Sequence, residues 1–255
     1  MNPVHTIKEH DMKRPSIIAI ALLALSLPIS AQLYVQAGLG YAMSLGGVQL
    51  DRDRIESTTG VESFAYKYGS YGQGFELAGV VGYTVTPSIA LELGICYNLG
   101  PSYEAKEVRQ NPAQNRERTH TGAMFAFIPS LVAQGNAWGV SPYVRFGLIV
   151  GFPSAKMEEV RPNEVITTTY SGNQFFGFHG ACGVALPMSK DMSFFGELTM
   201  QGGSWSPTKL EERVGATITT ITLKDEFTDA EPFVAEQPSL PYGSVGVRAG
   251  VRLAL

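Results

Sequence analysis

The 255-residue chain carries only 16% charged side chains, 28 glycines, 11 tyrosines and a formal net charge of −4. An average soluble domain has about 25% charged residues and about 7% glycine, so low charge and abundant glycine together set this chain apart from an ordinary soluble globule. The acidic balance and the lack of any basic run exclude a nucleic-acid binder. Two cysteines, Cys96 and Cys182, are too few for a disulfide framework.

The first segment reads as an export signal. Met12-Lys13-Arg14 precedes an apolar run from Ile17 to Ile29, followed by Ser30-Ala31-Gln32. A basic start, a short apolar stretch and a small residue at the break are the marks of a cleaved secretory peptide. The run is shorter than the roughly 20 residues a spanning helix needs. Cleavage is expected after Ala31, with residues 1–31 as an N-terminal extension plus signal and residues 32–255 as one domain. The eleven residues before Met12 leave open whether translation starts at Met1 or Met12.

The remainder alternates apolar and polar residues, the period of a strand whose two faces meet different surroundings. Eight such strands are predicted. The first has Leu33, Val35, Ala37, Leu39, Tyr41 and Met43 on one face and Tyr34, Gln36, Gly38, Gly40 and Ala42 on the other. The others run over Gly74–Val85, Ile89–Leu99, Thr121–Ala133, Ser141–Phe152, Phe176–Leu186, Met192–Gly202 and Val245–Leu255. Pro129 cannot donate to a ladder, so a bulge or local distortion is expected in the fourth strand. Cys96 falls on a polar face and Cys182 on an apolar one, which disfavours a bridge between them.

The connections alternate long and short. Long segments at 45–70, 100–118, 153–174 and 203–240 hold nearly all the charge and are expected as loops. Within them Val165–Tyr170 and Ala216–Leu223 can extend strands. Short connections follow the second, fourth and sixth strands. Outer-membrane barrels pair short periplasmic turns with longer extracellular loops and an even strand number. The predicted architecture is therefore an all-β, eight-stranded antiparallel up-and-down transmembrane barrel.

The polar faces collect ten glycines together with Glu76, Glu92, Arg145, Glu197, Arg248 and Arg252. Eight strands leave an interior just wide enough for side chains, so this glycine-rich, charged face suits a narrow lumen and the aliphatic face suits lipid. Three glutamates and three arginines are expected to form one paired set there, because buried unpaired charges cost several kcal/mol each. Arg248 and Arg252 are the expected partners of Glu76, Glu92 and Glu197. Tyr41, Phe75, Tyr97, Phe152, Phe176 and Trp205 are expected in an outer aromatic girdle, and Tyr83, Trp138 and Phe194 in an inner one.

With its export signal, eight alternating segments and the terminal strand YGSVGVRAGVRLAL, the mature chain resembles the small outer-membrane β-barrel family that includes the OmpA, OmpX and OmpW types. The resemblance implies residence in the bacterial outer membrane, contact with its lipid and delivery by the barrel-insertion machinery. Members usually end in an aromatic residue, and this chain ends in Leu255. Lipid deacylases of this size carry a histidine two residues before a serine. Here His120 is followed by Thr121-Gly122 and His179 by Gly180-Ala181, so that motif is absent.

No catalytic residue, metal spacing, phosphate loop or cofactor motif is read from the chain. The functional expectation is structural or surface-interacting, with the long segments available to an extracellular ligand and the lumen charges acting as a plug. The alternative is a narrow channel for small or hydrophobic solutes, gated by exchange of ion-pair partners.

Overall fold

The computed structural model describes residues 32–45, 49–57, 59–60, 62–110, 113–225 and 234–255. The expected signal segment, residues 1–31, lies outside the described residues. Eight long strands follow one another around a barrel: β1 (Gln32–Ser44), β2 (Gly74–Thr86), β3 (Ile89–Leu99), β4 (Ala113–Gln134), β5 (Ser141–Arg161), β6 (Phe175–Pro187), β7 (Met192–Gly202) and β8 (Ser244–Ala254). Each pairs antiparallel with the next, and β8 closes on β1 with Gly38 opposite Gly250. Closure removes the unpaired edges that an open sheet would present. In the β4–β5 ladder the pairs at Ile128 and Pro129 are missing, yet the register is the same on either side. The missing N–H of Pro129 interrupts the ladder without inserting a bulge.

The alternation sorts residues as expected. Leu39 and Phe75 are each 69% exposed on the outer face, with Leu77, Phe146, Leu148, Phe176, Leu198 and Val247 also exposed there. Such a continuous apolar belt far exceeds what a water-soluble monomer leaves exposed, and a bilayer is the solvent that it fits.

Among the described residues, the long segments are mostly strand rather than loop. Gln49–Glu56 and Glu62–Tyr68 form a hairpin, and Tyr103–Gln110 pairs with the outer half of β4. Glu164–Ser171 pairs with the outer half of β5, and Lys209–Val214 and Thr217–Lys224 add to it. The two suggested extensions at 165–170 and 216–223 are therefore strands, and 45–70 and 100–118 prove largely strand as well. β4 and β5, with 22 and 21 residues, span about 70 Å at roughly 3.3 Å per residue. That is more than twice a bilayer's hydrocarbon thickness of about 30 Å, so the sheet stands as a crown above the apolar belt. Charge density alone predicts solvated loops. In the crown the charges pair with one another, Lys67 with Asp53 at 3.0 Å and Arg54 with Glu62 across the first hairpin.

Candidate functional site: the lumen and its two ends

The inward faces place five of the six expected charges in one chain of contacts. Arg145 on β5 donates from Nε to Glu92 on β3 (2.5 Å) and from Nη1 to Glu197 on β7 (2.8 Å). Arg248 on β8 reaches the other oxygen of Glu197 through Nη1 (3.0 Å) and Glu76 on β2 through Nη2 (3.1 Å). The order is Glu76–Arg248–Glu197–Arg145–Glu92. The Tyr34 hydroxyl donates to Glu92 (2.5 Å) and that of Tyr143 to Glu197 (2.7 Å). All five charged side chains are buried.

Three glycines make these reaches possible. Gly82 lies between Tyr34 and Glu92 in the ladder, Gly183 between Tyr143 and Glu197, and Gly40 between Arg248 and Glu76. Each partner pair thus joins hands across an intervening strand at a residue with no side chain. A Cβ on Gly82 falls 2.1 Å from the Tyr34 ring, and one on Gly183 falls 2.7 Å from Glu197 Cβ and 2.8 Å from Tyr143 Cζ. Outward-facing Gly180 and Gly196 meet nothing within 4 Å. The lumen glycines set the frame for the charge chain, which their count alone does not reveal.

The sixth residue departs from expectation. Arg252 has no ion pair among the described residues. Its Nε and Nη2 donate to Gln36 Oε1 at 3.3 and 3.2 Å, and its guanidinium lies over the rings of Tyr34 and Tyr143. It lies four residues beyond Arg248 toward the short-turn end of β8, opposite Gln36 and Ser193 rather than a glutamate, so the six do not form one set. Cys96 is buried and Cys182 exposed, and both are free thiols.

Toward the crown, the lumen is filled from a long connection. Ser70–Gln73 folds inward, where the Gly72 carbonyl accepts from Asn98 Nδ2 and Gln201 Nε2 (both 3.3 Å). Tyr71 stacks on Tyr242 with centroids 5.9 Å apart, and Phe175 and Trp205 pack on Tyr242 at 5.6 and 6.1 Å. Trp205, expected in the outer girdle, is only 1% exposed and donates from Nε1 to the Gly172 carbonyl at 3.0 Å. It follows the end of β7, where alternation no longer sets its side. Tyr41, Phe75, Tyr97, Phe152, Phe176 and Phe194 do face outward, and Trp138 is fully exposed in the β4–β5 turn.

His120 joins the aromatic cap to the first hairpin. Its Nε2 is 2.8 Å from Asp51 Oδ2 and its Nδ1 3.3 Å from the Tyr71 hydroxyl. His179 is buried on the inner face of β6, and neither ring nitrogen has a protein partner among the described residues. The two histidines are not brought together. No group of three potential metal ligands occurs among the described residues.

In the crown interior, Arg118 contacts Asp51 (2.7 Å) and Glu107 (3.0 Å), and Arg109 contacts Glu107 (2.7 Å). Burial opposes ionisation of Asp51, but the bonds from His120 and the Arg52 N–H, with the Arg118 charge, outweigh it and lower its pKa. Burial likewise opposes ionisation of Glu107, and Arg109 with Arg118 outweighs it. Depressed carboxylates contribute stability above their unfolded pKa, about 4, and lose it as pH falls through the folded value. The crown should therefore keep this contribution from neutral pH down to about 4 and lose it progressively as pH falls below that. Hydrogen exchange at the Arg52 and Lys106 amides, which donate to Asp51 and Asp53, should accelerate in that window relative to amides of β3.

The chain matches solved structures across nearly its whole length. A major outer membrane protein from Thermus thermophilus aligns over 89% of this chain and 100% of its own, with 12% identity and a TM-score of 0.52. The chain has the fold of the small eight-stranded outer-membrane β-barrels. OprG from Pseudomonas aeruginosa covers 88% of this barrel and 96% of its own chain at 10% identity and a TM-score of 0.47. Neisserial surface protein A covers 88% and 98% at 13% identity and 0.40. No protein-family model and no curated protein matches the barrel's sequence.

Proposed function

We propose that this chain is an outer-membrane scaffold with a closed lumen, whose crown presents a surface to other molecules. The observation that carries the reading is the Glu76–Arg248–Glu197–Arg145–Glu92 chain, which crosses the barrel interior beneath the Tyr71–Tyr242 cap. The belt of aliphatic side chains meets outer-membrane lipid, and the alternating strand β8 is the segment offered to the barrel-insertion machinery. An extracellular ligand would meet the strands built from 45–70, 100–118, 153–174 and 203–240. We assign the protein no catalytic role: the Asp51–His120–Tyr71 contacts tie one hairpin to the cap.

Liposome swelling tests the closed lumen. Vesicles reconstituted with the protein should swell in isotonic arabinose no faster than protein-free vesicles. Swelling at rates approaching those of a general porin would support the narrow-channel alternative instead.

A further inference from the structure

The arginine that stands apart from the charge chain has a site of its own. Arg252 is held face-on by two rings, with its guanidinium carbon 4.7 Å from the Tyr34 centroid and 5.2 Å from that of Tyr143. Gln36 Oε1 accepts from Nε and Nη2. A guanidinium has five N–H donors. Two are engaged by Gln36, which leaves both hydrogens of Nη1 and one of Nη2 without a protein acceptor among the described residues. That free edge can grip a carboxylate or phosphate with two parallel bonds.

The surroundings fit such a guest. Arg252 lines a cavity of about 490 Å³ at the short-turn end of the barrel, within the range of small-molecule sites. Gln32, Ser88, Gln134, Asn136, Ser141 and Ser193 supply amides and hydroxyls, and Lys190 adds a second cation. No aspartate or glutamate is among the lining residues. Glu92 and Glu197 lie beyond Tyr34 and Tyr143, where those hydroxyls and Arg145 already occupy their oxygens. Three glutamates and two arginines leave the charge chain at −1. Arg252 brings the interior to zero, and Lys190 is a second cation on the cavity lining, with Asp191 next to it in the turn.

We propose that this vestibule binds a small oxyanion, a carboxylate or a phosphate, that reaches the barrel from the periplasmic side. Arg252 grips it with its free edge, and Lys190 contributes charge from the turn between β6 and β7. The rings of Tyr34 and Tyr143 with Gln36 hold the guanidinium ready, so little ordering remains to oppose binding. The chemistry is shared by free periplasmic anions and by phosphates of lipid headgroups.

The test uses the full chain, ¹⁵N-labelled, in dodecyl maltoside micelles that carry no phosphate. Sodium phosphate and sodium acetate are titrated at constant ionic strength while the Arg252 Nε–H resonance is followed. A saturating shift with a dissociation constant of about 1 mM or tighter is expected. Amides of Lys190 and Ser193 should be followed in the variants, where Arg252→Gln should abolish saturation and Lys190→Gln should weaken binding about tenfold. Lys190 is exposed, so its variant keeps the test decisive if Arg252→Gln fails to fold. In nanodiscs without added phosphate, saturation that appears in phosphatidylglycerol assigns the source to headgroups. Saturation that still requires added phosphate assigns it to free anions. A shift linear to about 100 mM, or one unchanged by both substitutions, overturns the proposal.

Discussion

Replacing Arg145 by alanine should strip the barrel of much of its heat resistance. The substitution leaves Glu92 buried with no ion pair and Glu197 buried with Arg248 as its remaining cation, on either side of an empty position. Breaking a buried ion pair by removing one partner costs about 3–5 kcal/mol. For a chain of this size that corresponds to a fall of about 10 °C in the temperature at which the folded, fast-migrating band disappears from a gel. Arg252→Ala should cost only about 1 kcal/mol, because it loses ring and amide contacts at a half-buried site and no ion pair. Equal losses for the two arginines would mean that the charge chain is not the element that holds the lumen together.

A single valine should separate the lumen glycines from the lipid-facing ones. In Gly82→Val the new side chain enters the space of the Tyr34 ring, only 2.1 Å from its Cβ. Tyr34 must swing away and release Glu92, so overpacking and a lost charged hydrogen bond combine to about 3 kcal/mol or more. Gly196→Val places the same side chain on the outer face, where nothing lies within 4 Å, and should leave the unfolding midpoint within about 0.5 kcal/mol. The pair is measured by urea-dependent loss of tryptophan fluorescence in lipid vesicles. Similar midpoints for the two variants would contradict the role given to Gly82.

The barrel itself was legible in the sequence because a lipid belt and a narrow lumen impose a strict two-residue period on every strand. Glu76, Glu92, Arg145, Glu197 and Arg248 could be placed on the inner face by that period alone. Their connectivity could not, because it depends on which glycine lies opposite which partner on the neighbouring strand. The hairpin at Gln49–Glu56 was hidden by its charges: Asp51, Arg52, Asp53 and Arg54 look like a solvated loop until their partners from distant segments are known. Arg118 pairs with Asp51, 67 residues away. The two-residue period does not place Trp205, which lies past the end of β7, or Tyr71, whose segment shows no alternation. Both enter the lumen through long-range contacts with Tyr242, which no local pattern signals.

Single-channel recording in planar bilayers tests the closed lumen most directly. Wild-type protein and Arg145→Ala should both show no resolved conductance steps, because the Tyr71–Tyr242–Phe175–Trp205 cap lies above the charge chain and does not depend on it. Discrete steps in the wild type, or steps that appear only when Arg145 is removed, would contradict a sealed scaffold and make the charge chain a gate.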